Sequence, residues 1–313
     1  MSVQLSVVMP CFNAAPYVEQ AVESALMQAG GAAELVVVDD GSTDGSGEIL
    51  QRLAQRHAGR LTLLHTQRIG PYPARNLALQ QVRGEWIAFL DADDWWTPNF
   101  GSAMLAALQA SGADAAYCGW QNVGIAGPRG EPFVPPDYLA EGAVENFLHH
   151  CPWPIHAAVL RRSVVQRLGG FSERMFSSMD YDFWIRMLGV TQHLVRVPEV
   201  MAFYRWHGSG QISAAKARQV LHAWQVRRDF VQAHPALAAT LPAGRRRELV
   251  DGALMAQGRS MFWRRDLGEA QPVLRQALRT GAWGWRDLPM LMAAQLPAPW
   301  FQRLLQRRGG EGA

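Results

Sequence analysis

Short apolar runs alternate with amphipathic stretches over the first hundred residues of the chain. The apolar runs are rich in β-branched residues and end at Pro, Asp or Thr, which is typical of buried strands; they are LSVVMP (5–10), ELVVVDD (34–40), RLTLLHT (60–66) and EWIAFLD (85–91). In the stretch after the first run, Val18, Val22 and Leu26 recur at helical spacing. Strands that alternate with helices in this way predict βαβ units and a mainly parallel sheet.

The pattern changes after residue 100. A helix over 103–110 and a strand over 114–120 are predicted first, and the Gly- and Pro-rich stretch 124–138 is predicted to be a loop near the site. Two more helices are predicted around LRRSVVQRLGGF and MDYDFWIRMLG, and the run that ends in YRWHGSGQIS closes this part of the chain. Helical patterns dominate from about residue 214 onward, which predicts a boundary near residue 213.

Composition favours a globular protein over a disordered one. Of the 313 residues, 49% are hydrophobic and 18% are charged, while the net charge is only +3. Three clusters of arginine lie in the last quarter of the chain, within 245–247, 263–265 and 306–308. The three cysteines are isolated and form no CxxC pair, which argues against a disulfide framework and against structural zinc. With no basic leader and no apolar run of spanning length, we expect a cytoplasmic protein without signal peptide or membrane-spanning helix.

The segment WIAFLDADDWW (86–96) places three carboxylates directly behind a buried strand. Like charges this close together resist burial unless a positive group offsets them. Asp91 and Asp93 at i and i+2 suit Mg²⁺ or Mn²⁺, ions that also bind phosphate oxygens. The alternative is that these acids precede the helix that begins near Thr97, and Asp94 is assigned to that capping role. Because Asp39–Asp40 end a neighbouring strand, we favour a metal–diphosphate site for Asp91 and Asp93.

Several motifs occur together in one order: VVMPCFN, VVVDDGSTDGS, ARN, GEWIAFLDADD, GGFSE and DYDFWIRM. Over about residues 3–210 the chain therefore resembles the family 2 inverting nucleotide-sugar glycosyltransferases. The resemblance implies the A-type glycosyltransferase fold, an α/β architecture with a Rossmann-like, mixed but mainly parallel sheet flanked by helices, here followed by a C-terminal helical region. It implies a nucleotide-sugar-binding half (1–100) and an acceptor-binding half (101–213) of one catalytic domain, before the helical region (214–313).

The resemblance also implies which residues bind the donor. Pro10 and Phe12 match positions that line the nucleobase pocket, and Asp40 matches the acid that accepts a hydrogen bond from the base. Arg75, in ARN, matches a basic residue near the nucleotide. The full set of implied donor-binding residues is Pro10, Phe12, Asp39, Asp40, Arg75, Asp91, Ala92 and Asp93.

The implied cofactor is Mn²⁺ or Mg²⁺. Asp91 and Asp93 match the DxD pair that holds the ribose and the metal in the family. His207, in YRWH, matches a histidine that completes the metal or diphosphate site in family members, and the alternative is a histidine that only hydrogen-bonds within its loop. Arg205 beside it is open to pairing with a diphosphate or with a structural acid.

Asp180 matches the catalytic base of the family. An acceptor hydroxyl needs a carboxylate within hydrogen-bond reach as it attacks, and one base opposite the leaving group gives inversion. Asp182 is the other candidate in DYDFW, and since it lies two positions further along a helix we expect it to cap the helix instead. Two positions depart from the family: Met179 replaces the usual Glu before the base, and Arg68 stands where an Asn is common.

The resemblance, together with these residues, implies an inverting glycosyltransferase that moves a sugar from a nucleotide-diphosphate sugar to a saccharide or lipid-linked saccharide, in bacterial-type cell-surface polysaccharide or glycolipid assembly. One alternative is a catalytically idle nucleotide-sugar-binding protein, which Met179 makes conceivable. A phosphatase of the DxD type is weaker, because Val38 stands where its nucleophile would be. The Arg- and Trp-rich C-terminal region suits either an anionic membrane surface, with the protein peripheral on the inner face, or a solvated helical cap. No nucleic-acid-binding module accompanies the charge.

Overall fold

The described part of the chain forms two compact units. The computed structural model describes residues 4–28, 33–125, 127–140, 142–174, 177–206 and 216–301. The first unit takes the described residues of Met1–Ala143, Cys151–Arg174 and Asp182–Ser209, and the second takes those of Val144–His150, Met175–Tyr181 and Gly210–Ala313. The predicted boundary near residue 213 lies outside the described residues, and the division of the catalytic domain into 1–100 and 101–213 stays a prediction.

Eight strands of the described chain form one sheet in the first unit. They are β1 (Leu5–Cys11), β2 (Ala33–Asp39), β3 (Leu61–His65), β4 (Trp86–Phe89), β5 (Trp95–Trp96), β6 (Ala115–Val123), β7 (Ala158–Arg161) and β8 (Leu194–Arg205). Their order across the sheet is β3-β2-β1-β4-β7-β6-β8-β5. The four strands predicted from the first hundred residues are confirmed and lie side by side.

The sheet is mixed, as predicted, and its N-terminal part is entirely parallel. β1 pairs in parallel with β2 and with β4, and β2 pairs in parallel with β3. β7 lies antiparallel between β4 and β6, β6 pairs in parallel with β8, and β5 closes the sheet antiparallel to β8. In this register Cys11 at the end of β1 is opposite Asp39 at the end of β2. The carboxyl ends of the parallel strands therefore present their loops at one edge, where ligands bind in such sheets.

Helices lie between these strands along the chain. In chain order the helices are α1 (Val18–Leu26), α2 (Ser46–Arg56), α3 (Pro71–Leu79), α4 (Phe100–Ser111), α5 (Ala143–His149), α6 (Arg162–Leu168) and α7 (Met179–Val190). In α1 the residues at helical spacing, Val18, Val22 and Leu26, are all buried. α3 begins at Pro71, earlier than the ARN motif, because proline is well suited to a first helical turn whose N–H groups have no partner within the helix.

The second unit is mainly helical in its described part. It contains α8 (Lys216–Ala233), α9 (Pro235–Ala238), α10 (Ala243–Arg247), α11 (Ala253–Trp263), α12 (Leu267–Thr280) and α13 (Leu288–Ala293), with a π-helical turn at Glu248–Gly252. α11 and α12 pack closely at Gly258, where an added Cβ would meet the Leu274 side chain at 2.9 Å. No helix within the described ranges is long and apolar enough to span a bilayer.

Candidate functional site

The loops that follow β1 and β2 are tied together at the edge of the sheet. The backbone N–H of Asn13 donates to the Oγ of Ser42 (3.0 Å), and the Asn13 side chain accepts from the N–H of Thr43 (2.8 Å). The N–H of Ala14 donates to the buried Ser46 hydroxyl at 2.8 Å. Asn13 takes a left-handed conformation (φ 51°), which asparagine tolerates better than most residues. The CFN and GSTDGS motifs therefore build one continuous surface.

Asp40 fixes the loop that leads to α3. Its buried carboxylate accepts hydrogen bonds from the Thr66 hydroxyl and from the N–H groups of Ile69 and Gly70, each at 2.7 Å. Asp39 beside it is also buried and accepts from the N–H of Ser42 at 3.1 Å. A carboxylate has about four acceptor positions, so three bonds leave Asp40 able to accept one more. Its role toward a nucleobase stays a prediction.

Phe12 lies at the same edge, with an arginine stacked over it. Phe12 is exposed, and the guanidinium carbon of Arg68 lies 4.1 Å from the centre of its ring. Arg68 takes a left-handed conformation (φ 55°) in the loop that Asp40 holds. Pro10 is half-buried in β1, opposite Val38. The residue that departs from the family pattern therefore contacts a residue that the pattern assigns to the nucleobase pocket.

The positive partner of the acidic turn is Arg75. This arginine is buried on α3, and its guanidinium forms an ion pair with the carboxylate of Asp91, which follows β4. The guanidinium also lies over the rings of Phe171 (5.3 Å) and Tyr72 (5.5 Å). The Arg75 side chain is 3% exposed and that of Asp91 29% exposed, so the pair joins a buried cation to a carboxylate that water still reaches. Two of the predicted donor-binding residues are thereby brought into contact.

The main chain of the DxD turn is held by Arg205. Its Nε donates to the carbonyl of Asp93 at 2.9 Å, and its Nη2 donates to the side chain of Gln20 at 2.7 Å. Its guanidinium lies between the rings of Tyr17 (4.7 Å) and Trp95 (4.5 Å). Ala92 within the turn is buried and Asp93 is half-buried. These contacts give Arg205 a structural role in shaping the turn.

Asp94 points into the core and does not cap a helix. One of its oxygens accepts from the N–H of Arg205 (2.8 Å), and the other lies 3.1 Å from Nδ1 of His156. The expectation of a capping role is wrong because β5 follows directly and α4 starts only at Phe100, with Asn99 before it. Burial, and then the charges of Asp93 and Asp91, raise the pKa of Asp94 well above its ordinary value.

His156 is the residue at this site that the sequence did not reveal. It lies in a short 3-10 turn (Ile155–Ala157), is fully buried, and stacks on the ring of Tyr204. Burial lowers its pKa to about 4 although the charge of Asp91 opposes this, so the ring is neutral at pH 7. The Asp94 carboxylate therefore lies beside a neutral imidazole, and the geometry of this close contact is not that of a hydrogen bond. No motif or spacing in the sequence marks this histidine.

The acidic turn has the donor set that a divalent cation of the magnesium type requires. Within the described ranges no group of three or more His, Cys, Asp and Glu side chains is placed to hold a metal ion. Mg²⁺ is ordinarily bound by only one or two carboxylates, with water and substrate phosphates completing its shell. Asp91 and Asp93 supply two carboxylates of that kind, and Asp91 is partly exposed, so these residues fit such an ion. His207, the third predicted ligand, lies outside the described residues.

Asp180 lies in the second unit, in the first turn of α7. It is half-buried, and Met179 before it is fully buried. Asp182, in the first unit, is buried and paired with Arg186 (2.6 Å) and Arg174 (3.2 Å). The expectation that Asp182 caps the helix is therefore wrong, since its carboxylate binds arginine side chains.

The sequence match decides the family. Residues 6–169, just over half of the chain, match the model described as Glycosyl transferase family 2. The chain belongs to glycosyl transferase family 2. The predicted family is confirmed, and membership removes the phosphatase alternative. The chain is similar to YibD of Escherichia coli, an uncharacterized glycosyltransferase that is 29% identical over 52% of this chain and 49% of its own length.

Other relatives match over more of their length. The putative teichuronic acid biosynthesis glycosyltransferase TuaG of Bacillus subtilis is 26% identical over 74% of this chain and 89% of its own. The Escherichia coli enzyme WfaP, a UDP-Glc:alpha-D-GlcNAc-diphosphoundecaprenol beta-1,3-glucosyltransferase, is 25% identical over 74% and 88%. The chain thus spans about half the length of YibD and most of TuaG and WfaP.

Solved structures confirm the A-type glycosyltransferase fold with its C-terminal helical region. Staphylococcus aureus TarS (1–349) in complex with UDP-GlcNAc superposes with a TM-score of 0.67 at 18% identity, covering 99% of this chain and 93% of that one. The mannosyltransferase PcManGT from Pyrobaculum calidifontis, in complex with GDP-Man and Mn²⁺, gives 0.59 at 21% identity over 97% and 85%. At these identities the likeness concerns the fold alone.

Proposed function

We propose that this family 2 glycosyltransferase transfers a sugar, with inversion, from a nucleotide-diphosphate sugar to a hydroxyl of a saccharide or lipid-linked saccharide. The observation that carries the donor half of the proposal is the Arg75–Asp91 pair at the carboxyl end of β4. A buried arginine allows a group of carboxylates to remain at the strand end, where a metal and a diphosphate bind. The solved complexes with UDP-GlcNAc and with GDP-Man support a nucleotide-sugar donor.

Asp91 and Asp93 are the residues that would hold Mn²⁺ or Mg²⁺. When bound, the ion supplies positive charge that stabilises the diphosphate leaving group. The Mn²⁺ in the PcManGT complex supports this cofactor. Around it, Arg205 holds the main chain of the turn and Arg75 holds the Asp91 carboxylate, so the two oxygen ligands are oriented before the donor arrives.

Donor recognition falls to the loops after β1 and β2 in this proposal. Phe12, with Arg68 stacked on it, supplies a flat surface for a nucleobase, and Asp40 has an acceptor position left for a base N–H. The loops that carry these residues are joined by the bonds of Asn13 with Ser42 and Thr43, so the pocket is formed before binding. These contacts would select the nucleobase of the donor, and binding of uridine and guanosine diphosphate-sugars tests which base is accepted.

Asp180 is the proposed base. A hydroxyl is a poor nucleophile until a carboxylate accepts its proton, and attack from the side opposite the diphosphate inverts the anomeric centre. Replacing Asp180 with Asn keeps the shape and removes the proton acceptor, so turnover should fall by about a hundredfold or more while donor affinity stays within a few-fold.

The assay for turnover is release of the nucleoside diphosphate from a panel of UDP- and GDP-sugars. If wild-type protein binds a donor from the panel but releases nothing with any saccharide acceptor, the idle binding protein is the better description.

The names of the relatives support a role in cell-surface polysaccharide or glycolipid assembly. TuaG is named for teichuronic acid biosynthesis, and WfaP acts on a diphosphoundecaprenol-linked sugar. A lipid-linked acceptor of this kind lies at a membrane surface, which agrees with a peripheral location on its inner face.

An exposed apolar patch in the second unit supports contact with that surface. Trp263, Trp285, Met292 and Trp300 are 69%, 78%, 55% and 65% exposed, and Leu288 and Leu296 are also exposed. The buried neighbours of Trp263 and Trp300, Phe262 and Phe301, have ring centres 6.2 Å apart and anchor the two segments that carry these tryptophans. Arg286 stacks on Trp285, and Arg264 and Arg265 follow Trp263, so the patch combines aromatic rings with positive charge as anionic lipid requires.

Vesicle co-sedimentation tests the patch. Full-length protein should pellet with vesicles that contain anionic phosphatidylglycerol, less at high salt, and a Trp285→Ser/Trp300→Ser variant should lose most of this binding. Met27→Ser, which removes an exposed apolar side chain of the sheet-containing unit, is the control and should behave as the parent. Equal pelleting of parent and double variant, or self-association without lipid, would contradict the membrane role of the patch.

A further inference from the structure

The second unit contains a set of contacts between α8 and the segment that leads into α7. Both residues that precede Met179 are bound by α8. The Oγ of Ser177 lies 2.7 Å from Nδ1 of His222, and the Oγ of Ser178 donates to the carbonyl of Gln219 at 3.3 Å. Ser177 is fully buried, and Ser178 takes a left-handed conformation (φ 62°) that is uncommon for serine. A non-glycine residue in that conformation persists where its surroundings hold it in place.

The other side of Asp180 is bound by the same helix. The Nε of Arg227 donates to the hydroxyl of Tyr181 at 3.0 Å, and its guanidinium lies 5.4 Å from the centre of the Tyr181 ring. The Tyr181 hydroxyl in turn donates to the carbonyl of Phe147 at 2.5 Å, and Arg227 also donates to the carbonyl of His149 at 3.0 Å. Tyr181 is buried, so its position is fixed by packing and by two hydrogen bonds.

We infer that His222 and Arg227 are positioning residues that hold Asp180 for its role as base, which makes α8 part of the catalytic apparatus. The inference rests on the proposed function of Asp180. Three contacts, at Ser177 and Ser178 before Asp180 and at Tyr181 after it, leave the backbone on both sides of Asp180 little freedom to move. A general base that is displaced by a fraction of an ångström loses much of its effect, because proton transfer requires hydrogen-bond distance to the attacking hydroxyl.

Positioning through Asp180 predicts a specific kinetic signature. His222→Leu should lower kcat about tenfold or more and leave the affinity for the donor, measured by calorimetry with UDP-GlcNAc and GDP-mannose in Mn²⁺, within twofold. His222→Asn should recover most of kcat, because the Asn amide can occupy the place of Nδ1 and still bond to Ser177. Gln225→Leu on the exposed side of α8 is the matched control and should keep the parent kcat.

A double variant separates positioning from a loss of folding. In an Asp180→Asn background His222→Leu should have no further effect on kcat, because the group it positions is gone. Ser177→Ala, which keeps the histidine and removes its partner, should reproduce the kcat loss if His222→Leu does not fold. Equal, multiplicative losses in both backgrounds, or a parent-like kcat in both His222→Leu and Ser177→Ala, would overturn the inference. Full turnover of Asp180→Asn alone would instead refute the base assignment, so the two failures are distinguishable.

Discussion

Arg75 and Asp91 are a pair of unequal partners, since the arginine is buried and the carboxylate is partly solvated. In the sequence the three acids after β4 raised the question of what offsets their charge, and ARN is one of the motifs that resembles the family. That Arg75 contacts Asp91 directly could not be predicted, because it depends on how α3 packs against β1 and β2. The same limit applies more strongly to His156, which belongs to no motif and is defined only by its burial against Asp94 and Tyr204.

The unequal burial of the pair leads to a prediction about stability. Arg75→Met should lower the free energy of unfolding by about 2 kcal/mol, because Asp91 loses its partner close to buried Asp94. The Arg75→Met/Asp91→Asn double variant should recover part of that loss, since no unpaired charge remains. Urea unfolding of the parent and both variants measures this. A double variant less stable than the single one would show that the arginine stabilises the turn by packing and not by charge.

His156 leads to a prediction about pH. Its pKa is about 4 in the folded protein against an ordinary 6.5, so between these values the unfolded chain binds a proton that the folded protein does not, and stability falls as the pH falls. Asp94 acts in the opposite direction, because its raised pKa makes the folded state take up a proton first. His156→Asn replaces the imidazole with a polar side chain that cannot titrate. Between pH 7 and pH 4.5 the parent should therefore lose about 2 kcal/mol more unfolding free energy than His156→Asn. If chemical denaturation showed that the parent and His156→Asn lose equal unfolding free energy over this pH range, the assignment of a buried neutral imidazole would be contradicted.

At the scale of the elements, long and strongly patterned segments were predictable and short ones were not. The strands β1 to β4 and the helix α1 follow directly from apolar runs and helical spacing. β7 has four residues and β5 has two, which is too few to show the alternation of apolar and polar residues typical of a strand. Both become strands because neighbouring strands pair with them. The omission of β5 also led to the wrong role for Asp94, because a helix was expected where a strand comes first.

α7 carries a prediction that distinguishes its two acids. Asp182→Asn breaks the ion pairs of a buried carboxylate with exposed Arg174 and with half-buried Arg186, which also binds the carbonyls of Leu168 and Gly170. The melting temperature should fall by several degrees, as a loss of about 2 to 3 kcal/mol requires, while turnover of the folded protein stays within a few-fold. Asp180→Asn is the matched comparison and should show the reverse, a small change in melting temperature and a large loss of turnover. If folded Asp182→Asn lost turnover and Asp180→Asn did not, the catalytic base would be Asp182 instead of Asp180.

At the scale of the whole molecule, the family match and the fold extend over different parts of the chain. The family 2 match covers residues 6–169, which hold the DxD turn and the loops after β1 and β2. Asp180 and the helices after it lie beyond this match, and no motif marked them beyond DYDFW. The A-type fold could therefore be predicted from motifs and the donor-side residues stay predictions, whereas the contacts of α8 with Ser177 and Tyr181 required the structure.

Metal-dependent donor binding by the DxD turn is the claim on which the proposed function depends. The most direct measurement is a calorimetric titration of UDP-GlcNAc and GDP-mannose into the parent and into Asp93→Asn, each with Mn²⁺ and with EDTA. The parent should bind at least one of the two donors about tenfold or more tightly in Mn²⁺, and Asp93→Asn should lose that gain, because one of two carboxylate ligands is removed. Equal, tight binding in EDTA, or an undiminished gain in Asp93→Asn, would contradict the assignment of this turn as the metal–diphosphate site.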